Sequence, residues 1–268
     1  MESVYHYKPI QFFLAVLSIS LSAGFAAAYA SYQQGMAWLQ LLGMLIMLCT
    51  PCGVAIYMIY RSKNAHVRQD FWRRLHMPKI TGMSLLILVA LMPVTLFLAT
   101  SISLLFGYSA NQFNLSPEFA GGPGQIAISL LFVLVVALLE ELGWRGYGVN
   151  SLRSRYNLFT SSMLFAAFWG LWHVPLFFIK DYYQYNLWQA SSIYTLNFFA
   201  SLVPATILMN WLYYKNNRNI IICVLFHAML NLSAMLFQTE QFTKCIMTFL
   251  LMLVSVALVN RDKKLFFT

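Results

Sequence analysis

The sequence predicts an all-α, polytopic membrane protein of about eight transmembrane helices with one or two interfacial amphipathic helices. Three observations carry that prediction. The 268-residue chain is 60% hydrophobic and only 9% charged, whereas a soluble domain carries about 25% charged residues. Apolar windows of about 20 residues, the length that spans a bilayer, recur along the whole chain. The basic residues cluster in alternate connections, as cytoplasmic loops do.

Taken in order, the spans are expected near 10–30, 36–60, 81–106, 124–145, 158–179, 191–213, 219–237 and 242–260. Turn or polar residues separate them: Ser31-Tyr-Gln-Gln-Gly35, Gly121-Gly-Pro-Gly124 and Lys215-Asn-Asn-Arg-Asn219. The whole chain reads as one transmembrane domain, with three N-terminal helices (1–123), a segment 124–237 holding helices four to seven, and a last helix with a basic tail (238–268). The first apolar run reads as a full span and not as a cleavable signal peptide.

With the N-terminus inside, 15 of the 17 basic residues fall on one side. They are Lys8; Arg61, Lys63, Arg68, Arg73, Arg74 and Lys79; Arg145, Arg153 and Arg155; Lys215 and Arg218; Arg261, Lys263 and Lys264. Only Lys180 and Lys244 fall outside. The net charge of +9 is thus explained by topology, with both termini cytoplasmic, and no nucleic-acid module is present.

Two stretches have the pattern of helices lying in the interface. In 65–77, Val67, Phe71 and Leu75 share a face beside Trp72, while Arg68, Arg73 and Arg74 can meet lipid headgroups. In 149–156, Val149, Leu152 and Tyr156 alternate with Arg153 and Arg155. His66 and His76 belong to the solvated part of the first stretch. Cys49-Thr-Pro-Cys52 has redox spacing but lies in an apolar run without βαβ context; with Cys223 and Cys245 it reads as membrane-buried thiol.

The chemistry concentrates in three short motifs within apolar segments. Each ionised group at a helix centre costs about 2.5–3.5 kcal/mol on insertion scales, so such groups usually face a cavity. In Glu140-Glu141-x-x-x-Arg145, adjacent carboxylates point about 100° apart. Arg145 stands four residues after Glu141, the favourable order for an intrahelical pair. Glu141 is therefore assigned to Arg145, which leaves Glu140 free to work as a general base. In His227-x-x-x-Asn231 both side chains share one face, and two convergent donors can form an oxyanion hole; an interhelical hydrogen bond is the alternative use of the pair. His173 closes Phe168-Trp-Gly-Leu-Trp-His, with Trp169 one turn earlier and Pro175 loosening the helix just beyond. A start at Leu158 places His173 about 15 residues into its span, deeper than His227.

These three motifs, in this order and spacing, resemble the CPBP superfamily of CAAX prenyl endopeptidases (the Ras-converting-enzyme type) and bacteriocin-processing or immunity proteins. The residues that carry the resemblance are Glu140-Glu141-Leu-Gly-Trp-Arg145-Gly-Tyr, Trp169-Gly-Leu-Trp-His173 and His227-Ala-Met-Leu-Asn231, within 124–237. The family usually has Phe where this chain has Trp169. The chain is similar to prokaryotic members, archaeal ones included. The resemblance implies hydrolysis after a prenylated cysteine of a CAAX protein and release of the C-terminal tripeptide. It implies that Glu140 and His173 activate water, that His227 and Asn231 hold the oxyanion, and that Glu141 and Arg145 support the site. The implied partners are a prenylated protein or peptide C-terminus and the lipid bilayer.

Zinc is the alternative chemistry, since Glu140, His173 and His227 make a possible His₂Glu set. His-Glu-x-x-His is absent, and Asn231 is a poor zinc ligand. The expectation is a glutamate-dependent reaction without a metal cofactor. Two other functions fit parts of the pattern. A proton or solute transporter could use a buried Glu/His relay, but the polar set lies in one half of the chain without a repeated broken helix. A non-catalytic scaffold or immunity factor needs the fold without the hydrolysis.

Overall fold

The computed structural model describes residues 5–76 and 80–268. Lys79 and the last residue of the 65–77 stretch lie outside the described residues. Long helices are α1 (Pro9–Ala30), α2 (Ala37–Arg61), α4 (Gly82–Leu104), α6 (Gly122–Gly143), α8 (Leu158–His173), α10 (Ser192–Lys215), α11 (Ile220–Met235) and α12 (Gln241–Arg261). Short helices α3 (Ala65–Arg73), α5 (Pro117–Ala120), α7 (Val149–Arg153), α9 (Tyr183–Ala190) and α13 (Lys263–Phe267) connect or flank them. No strand forms among the described residues; Leu115 and Phe237 make an isolated bridge. The protein is an all-α polytopic membrane protein.

Local chemistry sets the helix starts. Asn64, Thr81, Asn157, Ser191 and Asn219 each accept a backbone N–H of the following turn through the side chain, at the entries to α3, α4, α8, α10 and α11. Pro175 sets a stop. It has no N–H to give and disfavours helix in the residue before it. α8 accordingly ends at His173, and a 3₁₀ turn follows over Val174–Phe178.

Among the described residues, seven helical segments are long and apolar enough to cross a membrane. The remaining expected span, the seventh, forms as α11, which at 16 residues is shorter. The fourth differs most from expectation. α6 does not end near 145. It runs through a π-helical turn over Trp144–Gly148 into α7, giving one continuous 32-residue helical segment, Gly122–Arg153.

That continuation corrects the second interfacial helix. Val149, Asn150, Ser151 and Leu152 are all buried, so the apolar face expected to meet lipid packs inside the protein, while Arg153 is half-buried and Arg155 exposed. It also accounts for the depth of His173. Glu140 lies 13 residues before Arg153, and His173 lies 15 residues after Leu158. Those offsets amount to about 20 and 22 Å of rise at 1.5 Å per residue. The two residues thus reach similar depth on antiparallel helices joined by a four-residue turn.

The bundle closes on itself. α1 packs along α2, α2 against α6, α6 against α11, α11 against α10, α10 against α8, and α8 back against α1. α4 and α12 pack on each other and cover α11 and α10. Glycine permits close approach where membrane helices have little hydrophobic drive between them. A Cβ at Gly143 would stand 2.3 Å from the Pro51 carbonyl carbon. Pro51 itself withholds an N–H inside α2, and the hydroxyl of Ser20 on α1 donates to the carbonyl this frees, Met47 O, at 3.5 Å. The thiols are free; Cys52 and Cys223 are buried, Cys245 is half-buried and Cys49 is exposed.

Candidate active site

Three inner helices supply the polar residues. On α6 the two adjacent carboxylates face different neighbours, as helical geometry requires. Glu140 turns towards α8. Its Oε2 accepts the indole N–H of Trp144, one turn along, at 3.3 Å and that of Trp169 on α8 at 3.0 Å. Both donors meet the same oxygen, so Oε1 makes no hydrogen bond to the described protein. Glu140 retains only 4% exposure.

Glu141 turns towards α10 and α11 and is sealed. Its Oε1 accepts from Arg145 Nη1 at 3.0 Å and from His227 Nδ1 at 2.9 Å. Its Oε2 sits 2.9 Å from Arg145 Nη1 as an ion pair, off the hydrogen-bonding line. Arg145 also donates to Asn210 Oδ1 at 3.3 Å, and its guanidinium lies 4.8 Å from the centre of the Phe165 ring. Asn210 passes the network to Ser162 Oγ at 2.9 Å. Neither Glu141 nor Arg145 has any exposed side-chain surface.

His173 is the last residue of α8. Its Nδ1 lies 2.7 Å from Trp169 O. A carbonyl only accepts, so Nδ1 carries the proton and Nε2 presents a lone pair. The edges of Trp172 and Phe198, with ring centres 4.8 and 5.2 Å away, fix the imidazole. His227 is nearly fully buried on α11 and likewise gives its Nδ1 proton away, to Glu141. Asn231, one turn further, is half-buried, and its amide makes no hydrogen bond among the described residues. The expected use of a neutral His227 as an oxyanion donor is therefore constrained. Its Nε2 donates only when the ring carries both protons.

Trp169 joins the three motifs. Its indole N–H holds Glu140, its ring centre lies 5.6 Å from that of His173, and His227 meets it edge-on at 5.4 Å. Spacing marked Trp169 only as an aromatic beside His173; its bond to Glu140 is a tertiary contact. Trp144, four residues after Glu140, carried a readable i, i+4 signal.

Arg74 is a further correction. Its place in an amphipathic stretch suggested a headgroup contact, but the side chain is 2% exposed and lies inside the protein. Arg73 on the same stretch is exposed, and Val67 and Phe71 are buried within the protein.

Among the described residues, no three His, Cys, Asp or Glu side chains gather as a metal-ligating group. Glu140, His173 and His227 each lie against the Trp169 indole, and no step is derived through a metal.

Comparison with known proteins agrees with the motif pattern. Residues 122–233 match the family model described as type II CAAX prenyl endopeptidase Rce1-like. A CAAX prenyl protease 2 from the archaeon Methanococcus maripaludis is 38% identical over 268 residues, covering 100% of this chain and 98% of that protein. With the inner-helix site in place and a relative matched end to end, the chain belongs to the Rce1-like family of type II CAAX prenyl endopeptidases and is a protease.

Proposed function

We propose that this protease hydrolyses the peptide bond after a prenylated cysteine near the C-terminus of a CAAX protein and releases the last three residues. The observation that carries the mechanism is the gathering of Glu140, His173 and His227 around Trp169. Among the described residues neither Glu140 Oε1 nor His173 Nε2 takes a protein donor, and together they hold a water. Glu140 takes a proton from it as the oxygen attacks the cysteine carbonyl carbon. The Asn231 amide and a doubly protonated His227 donate to the resulting oxyanion. Collapse breaks the C–N bond, and the proton held by Glu140 passes to the departing amine. Glu141 and Arg145 touch neither water nor carbonyl; they hold His227 in orientation. The reaction as proposed uses no metal cofactor.

The proposed setting is the cell membrane with both termini cytoplasmic, so that a soluble protein's C-terminus reaches the site from the basic side. Incubating the detergent-purified protein with a farnesylated CAAX peptide tests the proposal. The released tripeptide is expected by mass spectrometry, with and without chelator. An intact peptide overturns the function. Activity lost together with about one zinc per chain, the stoichiometry of a single catalytic site, overturns the metal-free mechanism.

A further inference from the structure

The π turn raises a structural problem next to the site. Val149 N–H donates to Trp144 O across five residues, which widens the helix by one residue at Trp144–Gly148. The carbonyls of this turn take side-chain donors from elsewhere. Arg74, just past α3, donates from Nη1 to Arg145 O at 2.8 Å and from Nη2 to Gly146 O at 3.0 Å. Tyr213 on α10 donates to Arg145 O at 3.0 Å, and the Asn150 amide does so at 2.8 Å. Arg74 Nη1 also meets the Tyr213 hydroxyl at 2.6 Å, and its Nε faces Asp70 at 3.1 Å.

The residues around Arg74 fix its place in turn. The Arg74 carbonyl accepts from Ile220 N at 2.8 Å and from the Asn219 amide at 3.1 Å. Asn219 is the residue that caps α11, the helix of His227. Gly146 and Gly148 leave room for the packing, since a Cβ would stand 3.0 Å from Phe71 and 2.8 Å from Phe12. A guanidinium suits this position because its planar fork reaches two carbonyls at once, which an ammonium does not.

We propose that Arg74 is a positioning residue for the reaction. It holds the π turn in register with α11, and so sets Arg145 and, through Glu141, the orientation of His227. The proposal rests on the hydrolytic reading above. It gives the short interfacial helix α3 a role beyond anchoring: α3 delivers Arg74 to the site.

The test compares Arg74→Lys, Tyr213→Phe and the double variant in detergent-purified full-length protein. The readings are kcat and KM on a farnesylated CAAX peptide, with thermal unfolding measured in parallel. Arg74→Lys is expected to lower kcat about tenfold or more with KM within about twofold, because orientation and not binding is lost. Tyr213→Phe should lower kcat less. The double variant should fall short of the product of the two, since both side chains act on Arg145 O. A Tm loss with kcat unchanged marks a purely structural role and overturns the proposal. Should Arg74→Lys not fold, Asp70→Asn and Tyr213→Phe carry the same test, with unchanged kcat in both as the overturning result. Wild-type protein that leaves the peptide intact overturns the functional reading and this proposal with it. Wild-type cleavage with unaltered turnover in the variants overturns this proposal alone.

Discussion

Glu140 and Glu141 are neighbours in sequence and opposites in environment. Glu141 faces a sealed network in which Arg145 and His227 meet it at 2.9 Å and neither Glu141 nor Arg145 has exposed side-chain surface. Glu140 faces the Trp169 pocket, where two indoles take one oxygen and the other is open. His173 shares that second environment through Trp169; Asn231, one turn past His227, is half-buried with its amide unbonded among the described residues. The contrast separates two jobs. A buried ion pair is kept where its charges are paired and hydrogen-bonded. A group that must bind water and substrate is kept partly unpartnered. One turn of helix assigns both, because successive side chains diverge by about 100°.

The sharpest way to break this division is Glu140→Gln. The amide keeps the shape and can still accept both indole bonds, so the fold should survive. Loss of the base should lower turnover by up to about 10⁴-fold, the upper range for general-base catalysis. The measurement is tripeptide release by folded protein; retained activity would move the base elsewhere in the pocket.

Arg145→Met tests the sealed side. It leaves Glu141 as a buried carboxylate with His227 as its remaining partner. Breaking a buried pair from one side costs about 3–5 kcal/mol, so a large fall in Tm or loss of folded protein is expected. A variant as stable as wild type would show that the network is not needed for the fold. Asn231→Ala returns to the open side. Its amide bonds to nothing among the described residues, so stability should hold while kcat drops about 10²–10³-fold, the usual consequence of removing one oxyanion donor. Stability should therefore separate the two variants: it is lost at Arg145 and kept at Asn231, where turnover alone falls. Stability lost and turnover kept in Asn231→Ala would refute the oxyanion assignment.

Much of this was legible in the sequence, because it depends on local periodicity. Spans follow from the length of the apolar windows, and the Glu141–Arg145 pair and the shared face of His227 and Asn231 from 3.6-residue repetition. The π turn did not show, since no residue type demands it; Arg74 and Tyr213 stabilise it from far along the chain. Missing that turn placed the end of the fourth span about eight residues too early and made His173 look too deep. The burial of Arg74 was illegible for the same reason. Its neighbours Arg68 and Arg73 obey the amphipathic pattern, and only tertiary partners distinguish it from them.

An ion pair at the surface gives the smallest effect and a useful control for the sealed network. Asp262, just past α12, accepts from Lys215 at 2.8 Å and from the Trp211 indole at 2.6 Å. Partial burial pushes its carboxyl up, but the Lys215 and Trp211 hydrogen bonds, with the Lys215 and Arg261 charges, outweigh this and hold it below its ordinary value. A carboxyl whose value is lower folded than unfolded stabilises the fold above the unfolded value, and that contribution fades as pH falls through the folded one. Asp262→Asn should therefore lower Tm slightly at neutral pH, reflecting no more than about 1 kcal/mol of stability for so exposed a pair. The difference from wild type should vanish under strongly acidic conditions. Added salt should shrink it too, which it should not do for Arg145→Met, where no solvent reaches the charges. If salt rescued both variants alike, the Glu141–Arg145 pair would have to be solvated in the working protein, and the distinction between the two carboxylates would fail.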